Sequence, residues 1–101
     1  DLYDVMPVCV ATVGGAPTRK WVVEWSGSRY LGGSIVSVFE AIFTEGTNTI
    51  DFVYQATTDT QVATAGLENQ AGTAAVSGCA DRTSYSCPIP SNTRTRFQPI
   101  P

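Results

Sequence analysis

The stretch Ile35–Tyr54, IVSVFEAIFTEGTNTIDFVY, decides how this chain folds. Successive side chains of a strand point to opposite sides. Ile35, Phe39, Ala41 and Phe43 therefore share one face, with Val36, Val38, Glu40, Ile42 and Thr44 opposite. Both faces are largely apolar, which predicts a central strand covered on both sides. Glu45-Gly46-Thr47-Asn48 supplies the turn, since Gly46 and Asn48 accept positive φ at little cost. A returning arm follows, in which Ile50, Phe52 and Tyr54 alternate with the wetter Asp51, Val53 and Gln55.

Outward from this hairpin, β-branched residues, aromatics and turn formers recur at short intervals, and helical periodicity is nearly absent. Val8–Val13 (VCVATV) reads as a strand closed by Gly14-Gly15-Ala16-Pro17. Lys20–Trp25 (KWVVEW) reads as another, with Trp21, Val23 and Trp25 on one face and Lys20, Val22 and Glu24 on the other. Ser26-Gly27-Ser28 and Gly32-Gly33-Ser34 bracket a piece expected to be irregular, holding Arg29 and Tyr30. Val62–Leu67 (VATAGL) is expected as one strand whose small residues admit another layer, and Thr93–Gln98 (TRTRFQ) as the last, stopped by Pro99. About six or seven short strands at this spacing predict an all-β fold, an antiparallel β-sandwich with jelly-roll or Ig-like layers. Its core is expected to hold Trp21, Val23, Phe39, Phe43, Ile50, Phe52, Leu67 and Phe97. At 101 residues, with no internal repeat, the whole chain from 1 to 101 is expected to be one domain.

Charged residues make up only 15% of the chain, and its six cations form no long run, so nucleic acid is not an expected partner. No apolar run reaches the 18 or so residues that span a bilayer. Cys79 and Cys87 flank a short loop whose closure would stabilise the fold by roughly 2–3 kcal/mol. A bridge from Cys9 to either of them, or three reduced cysteines, are the competing arrangements; with Cys79 and Cys87 joined, Cys9 is a buried thiol or bonds outside the chain.

Histidine is absent, so neither Ser–His nor Cys–His machinery can form. Glu24 and Glu40 are the only strand carboxylates with apolar neighbours that suggest a glycosidase pair, and rim carboxylates explain them as well. Asp1, Asp4, Asp51, Asp59 and Asp81 fall in no calcium-loop spacing, and no cofactor or metal is expected. Trp21, Trp25, Tyr30 and Tyr54 are aromatic enough for sugar stacking; core filling is the favoured role of both Trp21 and Trp25, and Tyr30, then Trp25, are the candidate ligand contacts.

Four phrases in order, PTRKWVVEW, VFEAIFTEGTNTIDFVY, ATAGLENQAGTAA and YSCPIPSNTRTRFQP, resemble a family of bacterial, myxobacterial-type secreted β-sandwich modules similar to nidogen-type extracellular domains. The resemblance runs over nearly the whole chain and implies a secreted or cell-surface, non-catalytic module. It also implies that leading strands precede Asp1-Leu2, so that the sandwich is completed by a strand from another chain at an open sheet edge. The functional expectation is a structural or adhesion module, a self-assembling filament or surface-layer subunit joined by strand exchange with other chains or copies of itself. The alternative is a module that binds carbohydrate or a surface polymer.

Overall fold

A computed structural model describes residues 2–4, 8–30, 36–57, 62–79 and 86–100. The described residues hold ten strands: β1 (Leu2–Asp4), β2 (Val8–Val13), β3 (Lys20–Tyr30), β4 (Val36–Thr44), β5 (Thr49–Ala56), β6 (Val62–Thr64), β7 (Gly66–Glu68), β8 (Ala75–Ser77), β9 (Ser86–Pro88) and β10 (Thr93–Phe97). Six form one antiparallel sheet in the order β1-β3-β4-β5-β10, with β2 also against β3; β6–β9 and β7–β8 are separate antiparallel pairs. The fold is all-β, as the alternation predicts. The strands beyond the expected number are three residues long: β1, β8 and β9, with the segment Val62–Leu67 divided into β6 and β7. No helix occurs among the described residues, so none there is long and apolar enough to cross a membrane.

The doubly apolar arm, β4, sits between β3 and β5 near the middle of the sheet. Its turn to β5 places Gly46 at φ 89° and Asn48 at φ 55°. Gly46 is constrained twice over, because a Cβ there would also lie 3.1 Å from the Pro17 carbonyl oxygen. Two expectations change. The piece after Trp25 is not irregular: β3 runs on to Tyr30 through a register shift between Ser26 and Ser28, where Gly27 has φ 99°. This is the behaviour of a glycine bulge. The segment VATAGL is not one strand but breaks at Ala65 into β6 and β7, which pair with different partners. The small residues do admit a close neighbour. Gly78 donates its N–H to the Ala65 carbonyl at 2.9 Å, and a Cβ on Gly78 would meet Ala65 at 3.1 Å.

Register collects the large apolar side chains on one face of the sheet. Trp21 lies opposite Phe43, Val23 opposite Ala41 and Trp25 opposite Phe39. Phe39, Ala41 and Phe43 then lie opposite Tyr54, Phe52 and Ile50. Ring contacts follow the register: Trp25 stacks on Phe39 at 5.0 Å, Phe39 tilts against Tyr54 at 6.2 Å, and Phe52 meets Phe97 edge-on at 5.1 Å. Such pairs contribute about 0.5–1.5 kcal/mol each beyond their burial.

The later hairpins cover part of this face. Buried Ile89 packs with buried Tyr54, and Phe39, Phe52, Ala65 and Cys87 pack around them. The end of β5 is tied to the same cover: the Thr57 N–H donates to Ser91 Oγ at 3.0 Å, and the Thr57 hydroxyl donates to the Ile89 carbonyl. Cys79 and Cys87 form a disulfide that holds the cover's own segments together. Of the expected core, Val23 and Phe97 are buried, and Phe39, Ile50, Phe52 and Leu67 are partly buried. Trp21 and Phe43 are corrections. They are 47% and 37% exposed, because the cover over Tyr54 and Phe52 stops short of the β2–β3 side.

Candidate functional site

What the cover leaves bare is a strip at the β2–β3 side of the aromatic face. Val8, Val10 and Thr12 of β2 lie in register with Trp25, Val23 and Trp21 of β3. Val8 is 48% exposed and Val10 61%. Every residue of β2 is exposed, none is charged, and none is proline. Among the described residues β2 pairs along one edge only, with β3. No described residue pairs with its other edge, where a row of main-chain donors and acceptors lies open, the feature that natural sheets ordinarily blunt with charge, proline or a bulge.

At the turn end of the strip the surface becomes concave. The β2–β3 and β4–β5 turns lie side by side and are fastened by Arg19 and Glu45. The Glu45 N–H donates to the Arg19 carbonyl at 2.9 Å, while Arg19 donates from its main-chain N–H at 3.2 Å, from Nε at 2.7 Å and from Nη2 at 2.8 Å to the Glu45 carboxylate. Hydrogen bonding to Arg19 holds the Glu45 carboxyl down at about 2, so the pair is fully ionised and self-neutralised at neutral pH. Between the two turns lies a hollow of about 400 Å³. Its floor is Trp21 and Phe43, with ring centroids 5.3 Å apart and planes tilted by 40°. Thr12, Thr44, Asn48 and the Arg19–Glu45 pair form the rim.

The opposite face carries the ionised groups. Register brings Cys9, Glu24, Glu40, Val53 and Arg94 into one row across five strands. Glu24 and Glu40 are thus direct cross-strand neighbours. Burial, and then hydrogen bonding and repulsion from Glu24, push the Glu40 carboxyl above its ordinary range. Asp51, only 4% exposed, is gripped by Arg96 through two bonds, Nε at 2.7 Å and Nη2 at 3.0 Å, and its carboxyl is lowered chiefly by them. Cys9 is a free thiol and exposed rather than buried, because the strand that carries it is a bare edge.

The sequence singled out Trp25 and Tyr30 as ligand contacts. Trp25 instead lies partly buried and stacked on Phe39. The Tyr30 side chain lies outside the described residues. Of the calcium candidates, Asp51 is committed to Arg96, whereas Asp1, Asp59, Asp81 and the side chain of Asp4 lie outside the described residues. Among the described residues no three His, Cys, Asp or Glu side chains group as a metal site. Sequence reasoning missed the hollow because it placed Trp21 in the core and looked to Tyr30 and Trp25 for ligand contact. The available signal was the residue opposite: Thr12 faces Trp21, whereas Val8 faces Trp25.

A family model described as NIDO related matches residues 7–99. No curated protein and no solved structure matches the chain.

Proposed function

The chain belongs to the NIDO-related family, and from that premise and its bare sheet edge we propose that it is a non-catalytic, extracellular structural or adhesion module that assembles through β2. The observation that carries the reading is the conjunction of an edge that no described residue pairs with and exposed Val8 and Val10 on the aromatic side. A strand added to that edge satisfies its main-chain groups and lays alternate side chains over the bare strip, completing a two-layered sandwich. The partner is a strand of another chain or of a second copy, which makes the protein a subunit of a filament or surface layer. Because β2 carries no charge, two copies meet there without like-charge repulsion.

Family membership and the Cys79–Cys87 disulfide support an extracellular-type module. The four ordered sequence phrases support export from a bacterial cell. Three features support a non-catalytic role: the chain has no histidine, Asp51 is neutralised by Arg96, and Glu24 and Glu40 lie side by side. A glycosidase pair instead stands roughly 5–9.5 Å apart across a substrate.

Light scattering over a concentration series, with negative-stain microscopy, tests the proposal. The wild type should form oligomers or filaments as concentration rises, and Val10→Lys, a change at an exposed position, should abolish them. A wild type that stays monodisperse and monomeric up to about 1 mM has a self-affinity weaker than ~4 kcal/mol, which overturns self-assembly.

A further inference from the structure

The hollow between the two turns has features that strand docking does not use. Val8 and Val10 line the strip toward its far end, whereas the hollow lies beside Thr12 and is walled by turns. We propose that this hollow is a binding subsite for one neutral pyranose ring of a surface or matrix glycan. This assignment stands apart from assembly through β2.

An exposed Trp21 beside Phe43 offers a shallow aromatic floor. Pyranose rings present a face of C–H groups that packs on such a floor and a circumference of hydroxyls that must keep hydrogen-bond partners. The rim answers the second need. The Thr12 hydroxyl donates and accepts, and the Asn48 amide does both. Arg19 uses its Nε–H and one Nη2–H on Glu45, so further guanidinium donors remain for a ligand.

Charge selects the ligand class. Arg19 and Glu45 cancel each other, so the rim carries no net charge to attract a uronate or an amino sugar. A neutral polyol loses nothing by this, whereas a charged sugar is desolvated without a counter-ion. The rim is also held in place before a ligand arrives. Four hydrogen bonds fasten the turns, and the Asn48 N–H donates to the Thr44 carbonyl at 3.0 Å while Asn48 holds φ 55°. Fixed groups lose little freedom on binding. The volume of about 400 Å³ lies at the small end of ligand sites and suits one ring, with neighbouring sugars running out into solvent.

The indole N–H signals of Trp21 and Trp25 provide the test, because the two report separately in a nitrogen-15 correlation spectrum. Wild type and Val10→Lys are each titrated to about 50 mM with methyl β-D-glucopyranoside, methyl β-D-galactopyranoside, N-acetyl-D-glucosamine and D-glucuronate. At least one neutral sugar should shift Trp21 saturably in both proteins, with Trp25 moving less and glucuronate binding more weakly. Asn48→Gly, which keeps the positive φ and removes the amide, should weaken binding about five-fold. Calorimetry on Trp21→Ala should show binding lost. Absence of a saturable shift with every neutral sugar overturns the site, as does a response centred on Trp25 or binding retained in Trp21→Ala. Glucuronate binding as tightly as the neutral sugars overturns the charge argument. Because Val10→Lys carries the titration without the β2 edge, a failure of sugar binding and a failure of assembly are read separately.

Discussion

Removing Arg96 from its contact with Asp51 tests the electrostatics of the sheet most directly. Register places the two residues opposite each other on β10 and β5, and two short bonds join them. Asp51 is 4% exposed, whereas the Arg96 side chain is 46% exposed, so the pair lies between a surface bridge and a buried one. Surface pairs contribute up to about 1 kcal/mol, and breaking a fully buried pair costs about 3–5 kcal/mol. Arg96→Met, which retains much of the side chain's apolar length, should therefore cost about 2 kcal/mol at pH 7, or a midpoint roughly 8–16 °C lower. The cost comes mainly from stranding a carboxylate in a dry site, with Arg94 and Lys20 left as weaker attractions. Its pH dependence has a definite sign. In the wild type the Asp51 carboxyl is lowered, so its contribution is present above the unfolded value and is lost as pH falls through the folded one. In Arg96→Met the largest lowering influence is gone and burial opposes ionisation, so protonation relieves the penalty. Urea unfolding at pH 7 and at about pH 3.5 should show the difference between variant and wild type shrinking by at least half. Asp51→Leu with Arg96→Met should recover part of the loss, because no stranded charge remains. A cost below about 0.5 kcal/mol, or one that grows as pH falls, would refute the reasoning.

Glu40→Gln should stabilise the protein at pH 7 by about 0.5 kcal/mol, roughly 2–4 °C in midpoint, by removing a like-charge cross-strand neighbour of Glu24. The Glu40 carboxyl is raised in the fold, so its favourable contribution is present below the unfolded value and is lost as pH rises through the folded one. The gain should accordingly disappear by about pH 4 in thermal melts; a gain that persists there refutes the pairing. Replacing both Cys79 and Cys87 by Ala opens a ring with a sequence separation of 8. The chain-entropy relation predicts a loss of about 2.5 kcal/mol, read by urea unfolding of oxidised wild type against the variant, and unchanged stability would contradict it.

Much of this is legible in the sequence, and particular residues show why. The assignments of Trp21, Val23, Trp25, Phe39, Ala41, Phe43, Phe52 and Tyr54 to one face follow from alternation, which is a local property of extended chain. Gly46 and Asn48 marked the β4–β5 turn because few residues accept positive φ. Where local chemistry was ambiguous the reading went astray. Gly27 in its Ser-Gly-Ser setting predicts a break, yet paired neighbours carry β3 through it as a bulge. Ala65 looked like the middle of a strand, yet its carbonyl is claimed by Gly78 and the chain changes partners there.

By itself, then, the order of residues determined an antiparallel β protein, the side on which its aromatics gather and the turns that reverse it, since each depends on neighbours in the chain. Only the tertiary structure decided that Ile89 covers Tyr54 while Trp21 stays open, that Glu24 faces Glu40, and that Arg96 neutralises Asp51. Those outcomes depend on how far the later hairpins reach across the sheet and on the registers of strands distant in the chain. A repeating pattern of apolar and polar residues specifies which face is to be buried; how much of it is buried depends on what the rest of the chain can lay over it.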